Sequence, residues 1–218
     1  MRLYFLMSYF IRRIVKWFLK NLYGPLAWGY DTVAHIVSFG QWHNWNYQIS
    51  SFLNRDEKIL EVGIGTGMLH KRLLIEGYQI FGCDLSSQML NLSGKKIKHL
   101  KKKLIRADNL HVPFSNHSFQ KIIATFPSDY VFSNQFWREY KRLLTHDGEL
   151  IILLSVLFGK NNFINNFYHN LYKITGQSIE KEKVEPVILD LFNAENDVKI
   201  IWFPYKKVEL CFLVLKNK

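Results

Sequence analysis

Cysteine is scarce: Cys83 and Cys211 are the two in 218 residues. That excludes a disulfide scaffold, and two cysteines cannot by themselves build a zinc site. Both stand in apolar runs, which suits buried free thiols in a reduced, cytosolic setting. Internal repeats at solenoid periods and low-complexity tracts are also missing. A membrane-crossing helix needs about 20 apolar residues, whereas the run from Leu3 to Ile11 stops after nine at Arg12-Arg13. No small-residue cleavage site follows that run, so a signal peptide is not expected. Acidic residues are few as well. The 18 Asp and Glu face 29 Lys and Arg, a formal charge of +11, which points to anionic partners such as a membrane surface or nucleic acid. Core material, by contrast, is plentiful. Hydrophobic residues make up 48% against 22% charged, enough for a folded domain and too much for global disorder.

The first thirty residues contain Arg2, Arg12, Arg13, Lys16 and Lys20 and no acid. Arg12, Lys16 and Lys20 recur every four residues, so they share one side of a helix. Phe10, Trp17, Phe18 and Leu19 are among the apolar residues that fill the rest. The pattern predicts an interfacial amphipathic helix over 2–22 that lies on an anionic membrane surface, ended by Gly24-Pro25. The alternative is that the same helix packs on the protein's own core or on a second copy of the chain.

From Lys58 the pattern changes. Lys58 to Val62 reads as a buried strand and Gly63-Ile64-Gly65-Thr66-Gly67 as a glycine loop. Met68 to Glu76 reads as a helix, with Leu69, Leu73 and Leu74 at helical spacing, and Tyr78 to Cys83 as a second strand ending in Asp84. Strand, glycine loop, helix, strand, acid is a βαβ unit with a parallel sheet. Glycines let the backbone approach a ligand closely, and the helix start offers free N–H groups. A carboxylate at the tip of the second strand can accept both hydroxyls of a ribose. Asp84, 21 residues after Gly63, has the separation for that role. A dinucleotide fingerprint would need glycine where Met68 stands, and a P-loop would need G-K-[ST]; neither is present.

Glu61 to Gly67, E-V-G-I-G-T-G, resembles the first motif of class I S-adenosylmethionine-dependent methyltransferases, and Cys83 to Leu90 resembles their second. Arg106-Ala107-Asp108-Asn109 resembles the third. Pro113-Phe114 with the strand Phe119 to Thr125 resembles a run of the quinone-biosynthesis methyltransferases, as does Phe136 to Leu144 with His146-Asp147-Gly148-Glu149-Leu150. The likeness departs at Gln120, which stands for an acid, and at Asp147, read as standing for a proline. The resemblance implies an α/β, Rossmann-like three-layer sandwich over 55–218, with a mostly parallel seven-stranded sheet and a terminal antiparallel strand. Residues 1–54 would be the amphipathic helix and a helical cap. The implied cofactor is S-adenosylmethionine and the product S-adenosylhomocysteine. In the family's pattern Glu61 would orient the glycine loop or the methionine amino group. Gly63, Gly65 and Gly67 would pass under the methionine and ribose, and Asp84 would bind the ribose hydroxyls. Leu85 and Met89 would border the adenine, Asp108 and Asn109 would meet its edge, and Thr125 would face the methionine end.

The acceptor side begins at Thr125-Phe126-Pro127-Ser128-Asp129-Tyr130. Relatives that methylate exocyclic amines of nucleic-acid bases usually carry [DNS]-P-P-[YFW] here, so nucleic acid is disfavoured as substrate. Asp129 and Tyr130 are candidates to bind or deprotonate an acceptor, with helix capping the other reading of Asp129. On the cap, Tyr30-Asp31 resembles the Y-D of quinone-type relatives, whose ring lines the pocket. Trp42, Trp45 and Tyr47 add aromatic surface, and His43 is the candidate base. The remaining histidines, His70 among them, read as surface or loop residues. The expected activity is methyl transfer to a small lipophilic acceptor, a quinone precursor or a phospholipid amine, at the inner face of the membrane. A soluble enzyme using its N-terminal helix as a lid, and a nucleic-acid-binding methyltransferase, are the alternatives; a homo-oligomer fits any of them. Strands are predicted at 58–62, 78–83, 103–107, 119–125, 149–155, 198–203 and 208–215, with Pro204-Tyr205-Lys206 as the last turn. Helices are predicted at 2–22, 31–53, 67–76, 86–99, 133–144, 161–175 and 184–193.

Overall fold

The computed structural model describes residues 26–100, 103–158 and 198–218. The helix expected over 31–53 is interrupted, for a local reason. Tyr30–Val37 forms α1, but Phe39 and Gly40 take φ of 48° and 76°, a left-handed pair that ends a helix. The chain restarts as α2, Trp42–Tyr47, and continues as a 3-10 turn over Gln48–Phe52. Trp45, Ile49 and Leu53 then bury in the same core as Ile59, Leu73 and Ile151.

Lys58–Val62 forms β1 and is buried from Ile59 onward, as a central parallel strand covered on both faces must be. There follow α3 (Met68–Ile75), β2 (Gln79–Asp84), α4 (Ser87–Lys96), β3 (Leu104–Arg106) and β4 (Phe119–Thr125). Then come α5 (Asn134–Leu143), β5 (Leu144–Phe158), β6 (Val198–Tyr205) and β7 (Val208–Lys216). The seven strands form one sheet in the order β3-β2-β1-β4-β5-β7-β6. Pairing is parallel from β3 through β5 and antiparallel on both sides of β7. Successive side chains feed opposite cores. Leu60, Ile122 and Ile152 pack with Phe136 and Tyr140 of α5, while Ile59, Ile123 and Ile151 pack with Leu69 and Leu73 of α3. The result is the expected α/β sandwich. Its strand order reverses at β1, so a crevice opens at the carboxyl ends of β1 and β4.

Three sequence features acquire reasons. Gln120, the departure from an acid, accepts a hydrogen bond from the Lys58 N–H at 2.9 Å and so ties the start of β1 to β4. Asp147 has φ 63°, which a proline ring, locked near φ of about −65°, cannot adopt. The reading of Asp147 as standing for a proline is therefore corrected. Tyr205 pairs with Val208, so the terminal turn is Lys206-Lys207 rather than Pro204-Tyr205-Lys206. Pro204 lies within β6, an edge strand, where a missing N–H is tolerated. Helices expected over 2–22, 161–175 and 184–193 lie outside the described residues.

Candidate active site

β1 delivers the chain to the crevice, where Gly63, Gly65 and Gly67 take φ of 71°, 53° and 78°. The loop is tied to the end of β2. The Gly63 and Ile64 N–H groups donate to the Cys83 carbonyl at 2.8 and 3.2 Å, and Gly65 N–H donates to Asp84 Oδ2 at 2.9 Å. Ser86 N–H donates to Asp84 Oδ1 at 2.8 Å. Backbone donors thus hold both carboxylate oxygens, which keep acceptor capacity for ligand hydroxyls. Burial pushes the Asp84 carboxyl up from its ordinary value, against the pull of the Ser86, Gly65 and Leu85 N–H groups. A Cβ added at Gly65 would meet nothing within 4 Å, so the loop presents bare backbone to open space. That open cradle beside an aimed carboxylate fits the ribose and methionine of S-adenosylmethionine.

Gly67 is different. A Cβ there would stand 2.5 Å from the Ser93 Cβ of α4, and its φ is one that L side chains avoid. Gly67→Ala is expected to cost about 2–4 kcal/mol in urea unfolding, from left-handed strain and overpacking together. Adding Ser93→Gly removes the blocking atom. The double variant should be no less stable than Gly67→Ala alone, even though a helical glycine by itself costs about 0.5–1 kcal/mol.

Beneath the loop the structure corrects one expectation. His70, expected at the surface, is fully buried on α3, and its Nδ1 lies 2.9 Å from Glu61 Oε2. Glu61 is itself 3% exposed. It therefore anchors the first turn of α3 to β1, which holds the glycine loop in place, and it is screened from a ligand's amino group. Met89 is also corrected. It is 0% exposed and is a core residue of α4 with no surface for an adenine to touch. Its neighbour Leu85 is 57% exposed beside Asp84 and offers that surface. Asp108 Oδ1 accepts from Leu110 N–H at 2.9 Å, a local turn, and the Tyr140 hydroxyl donates to the Asn109 carbonyl at 2.9 Å, fixing that turn. Thr125 stands half-buried at the tip of β4, opposite Leu153.

Phe126, next in the chain, has φ 47°, a strained conformation for an aromatic residue and a mark of functional sites. Its ring stacks on Trp42 of the cap at 4.4 Å and 24°, and Tyr30 meets Trp42 edge-on at 6.5 Å. Tyr130 packs against the α5-side core, beside Phe136, and its hydroxyl lies 3.5 Å from where a Cβ on Gly63 would stand. Asp129 opens the 3-10 turn Asp129–Phe132; the cap of α5 is Ser133, whose Oγ accepts from Phe136 N–H at 3.2 Å. His43 lines a groove between α2 and α3 with Tyr47, Met68 and Arg72. Burial pulls its imidazole down from its ordinary value, opposed by the Asp31 carboxylate. Sequence reasoning missed Phe126, Thr66 and the buried role of His70; only the left-handed φ and long-range contacts reveal them.

A family profile described as a methyltransferase domain matches residues 60–152. A demethylmenaquinone methyltransferase of Tropheryma whipplei is 27% identical over 137 residues, 62% of this chain and 57% of that protein. A ubiquinone/menaquinone biosynthesis C-methyltransferase of Wigglesworthia glossinidia brevipalpis is 30% identical over 118 residues, 50% of this chain and 47% of that protein. The chain thus spans about half the length of these curated relatives. A phosphoethanolamine N-methyltransferase of Haemonchus contortus in complex with S-adenosyl-L-methionine shares the fold, with a TM-score of 0.55 and 14% identity over 82% of this chain and 53% of that one. An S-adenosylmethionine-dependent methyltransferase of Methanosarcina mazei does so at a TM-score of 0.52 and 18% identity, over 78% and 96%. The profile match runs from β1 into β5 and contains the glycine loop, Asp84 and the tip of β4, so over residues 60–152 the chain is similar to a methyltransferase domain.

Proposed function

We propose that the chain transfers a methyl group from S-adenosylmethionine to a flat, lipophilic acceptor of the quinone-precursor class, at an anionic membrane surface. The observation that carries this is the aromatic wall of Tyr30, Trp42 and Phe126 at the tip of β4; separately, the Tyr130 hydroxyl lies over Gly63 at the end of β1. Stacked rings favour another flat ring and exclude water from the reacting centre. When bound, the cofactor supplies an electrophilic sulfonium methyl. Asp84 holds ribose hydroxyls, and the bare backbone at Gly65 admits the methionine chain. The aromatic wall aligns the acceptor face, which is the main work in an in-line displacement. Tyr130 orients the acceptor or takes its proton. The two curated relatives named above carry quinones or their precursors in their names, which supports the same class here.

The basic, aromatic stretch at 2–22 supports membrane contact. So does the cap that follows it, where Trp28 is 76% exposed and Ile36 66%. Among the described residues no helix is long and apolar enough to cross a membrane. The test incubates the full chain with tritium-labelled S-adenosylmethionine and phosphatidylglycerol vesicles that carry demethylmenaquinone and phosphatidylethanolamine. Label is expected in the quinone. Label in phosphatidylethanolamine alone would replace the ring acceptor by an amine, and label in neither would overturn the lipophilic acceptor. Tyr130→Phe is expected to lower kcat about 100-fold with S-adenosylhomocysteine affinity unchanged.

A further inference from the structure

α1 is weakly held by packing. It runs between Gly29 and Gly40, and of its eight residues it buries only Ala34. Elements with so few buried contacts open at low free energy. Yet α1 carries one strong polar tie. Asp31 Oδ1 accepts from the Thr66 hydroxyl at 2.6 Å, and Asp31 Oδ2 accepts from Lys96 Nζ at 2.5 Å. Thr66 lies between Gly65 and Gly67 of the cofactor loop, and Lys96 ends α4, the helix that begins just after Asp84. One carboxylate thus joins the cap to both walls of the cofactor crevice, across 35 and 65 residues of sequence.

We infer that Asp31 is a positioning residue, a latch that holds α1 over the glycine loop and sets how long the cofactor stays bound; this rests on the cofactor reading of that loop. Thr66 is 5% exposed, so its hydroxyl has no water to turn to when Asp31 leaves, and an unpaired buried donor is costly. Lys96 neutralises the carboxylate and keeps it in place. Tyr30, adjacent to Asp31, meets Trp42, which stacks on Phe126. Closing the latch therefore also sets the acceptor wall, and opening it frees both cofactor and wall together.

The test is the dissociation rate of S-adenosylhomocysteine from the full chain, followed by tryptophan fluorescence in stopped flow. Asp31→Ala and Thr66→Val are each expected to raise the rate about tenfold. The double variant should be no faster than Asp31→Ala alone, which already removes the Asp31–Thr66 bond. Thr66→Ser keeps a hydroxyl and should restore slow release. Without ligand, Thr66→Val, which leaves no unpaired hydroxyl, should hardly move the melting temperature, since α1 buries little, whereas Asp31→Ala should lower it by the few degrees that an unpaired buried hydroxyl costs. If Asp31→Ala fails to fold, Thr66→Val, which removes one hydroxyl at constant shape, carries the test. Wild-type rates in a folded Asp31→Ala or Thr66→Val, or additive effects in the double variant, would overturn the latch alone. If the wild-type chain itself does not bind S-adenosylhomocysteine, the cofactor reading falls and the latch with it.

Discussion

Replacing Asp84 by alanine is expected to weaken S-adenosylhomocysteine binding at least about a hundredfold while the chain stays folded. Two charge-assisted hydrogen bonds to ribose hydroxyls are lost, each worth about 1.5–3 kcal/mol, and tenfold in affinity is about 1.4 kcal/mol. The loss extends beyond the ligand, because Gly65 N–H then has no carboxylate to hold the loop. Asp84→Asn is no gentle substitute. Gly65 and Ser86 present N–H donors to both carboxylate oxygens, so the amide NH2 that this change introduces would face a donor. Isothermal titration of Asp84→Ala with S-adenosylhomocysteine checks this, and wild-type affinity would refute the assignment.

The same residue dictates a pH dependence. Burial holds the Asp84 carboxyl above its ordinary value of 3.8. Ribose hydroxyls donate to the ionised form, so affinity falls as pH is lowered through that raised value, earlier than for an exposed carboxylate. The ligand-free fold responds in the opposite sense. With the folded value above the unfolded one, the folded state binds more protons between them, and the contribution of Asp84 to stability is lost as pH rises across that window.

His70→Leu is expected to lower stability by about 3 kcal/mol, because it leaves the buried Glu61 carboxyl without its hydrogen-bond partner. Both side chains are out of water, and their 2.9 Å contact joins β1 to the first turn of α3. For a chain of this size the loss is a fall of roughly 10 °C in melting temperature. Glu61→Gln, which keeps the shape and one hydrogen bond to Nδ1, should cost only about 1 kcal/mol. Urea unfolding of the two variants separates the cases, and equal, small losses in both would show that the pair is not a supporting strut.

The β1-loop-α3-β2 unit was legible in the sequence because its signals are local. An apolar run, glycines at fixed spacing, a helical leucine pattern and a terminal acid all lie within 27 consecutive residues, Lys58 to Asp84. The break between α1 and α2 was not legible, since Phe39 adopts a left-handed φ that its side chain does not favour and only the packed cap imposes. The turn after β6 was misplaced because proline usually marks turns, and its tolerance depends on β6 being an edge, a fact of strand order.

The sequence by itself determined the order of the strands, the helices that alternate with them from β1 to β5, and the choice of Asp84 at the end of β2. Backbone geometry and side-chain period act over a few residues, so a linear reading contains them. Tertiary structure alone decided which polar groups leave water and whom they meet. It buried His70 against Glu61, turned Met89 into the core, stacked Trp42 on Phe126 and brought Asp31 to Thr66 and Lys96. The physical reason is that a hydrogen bond or stack depends on distance in space, and the folded sheet brings together residues whose separation along the chain carries no trace of the contact.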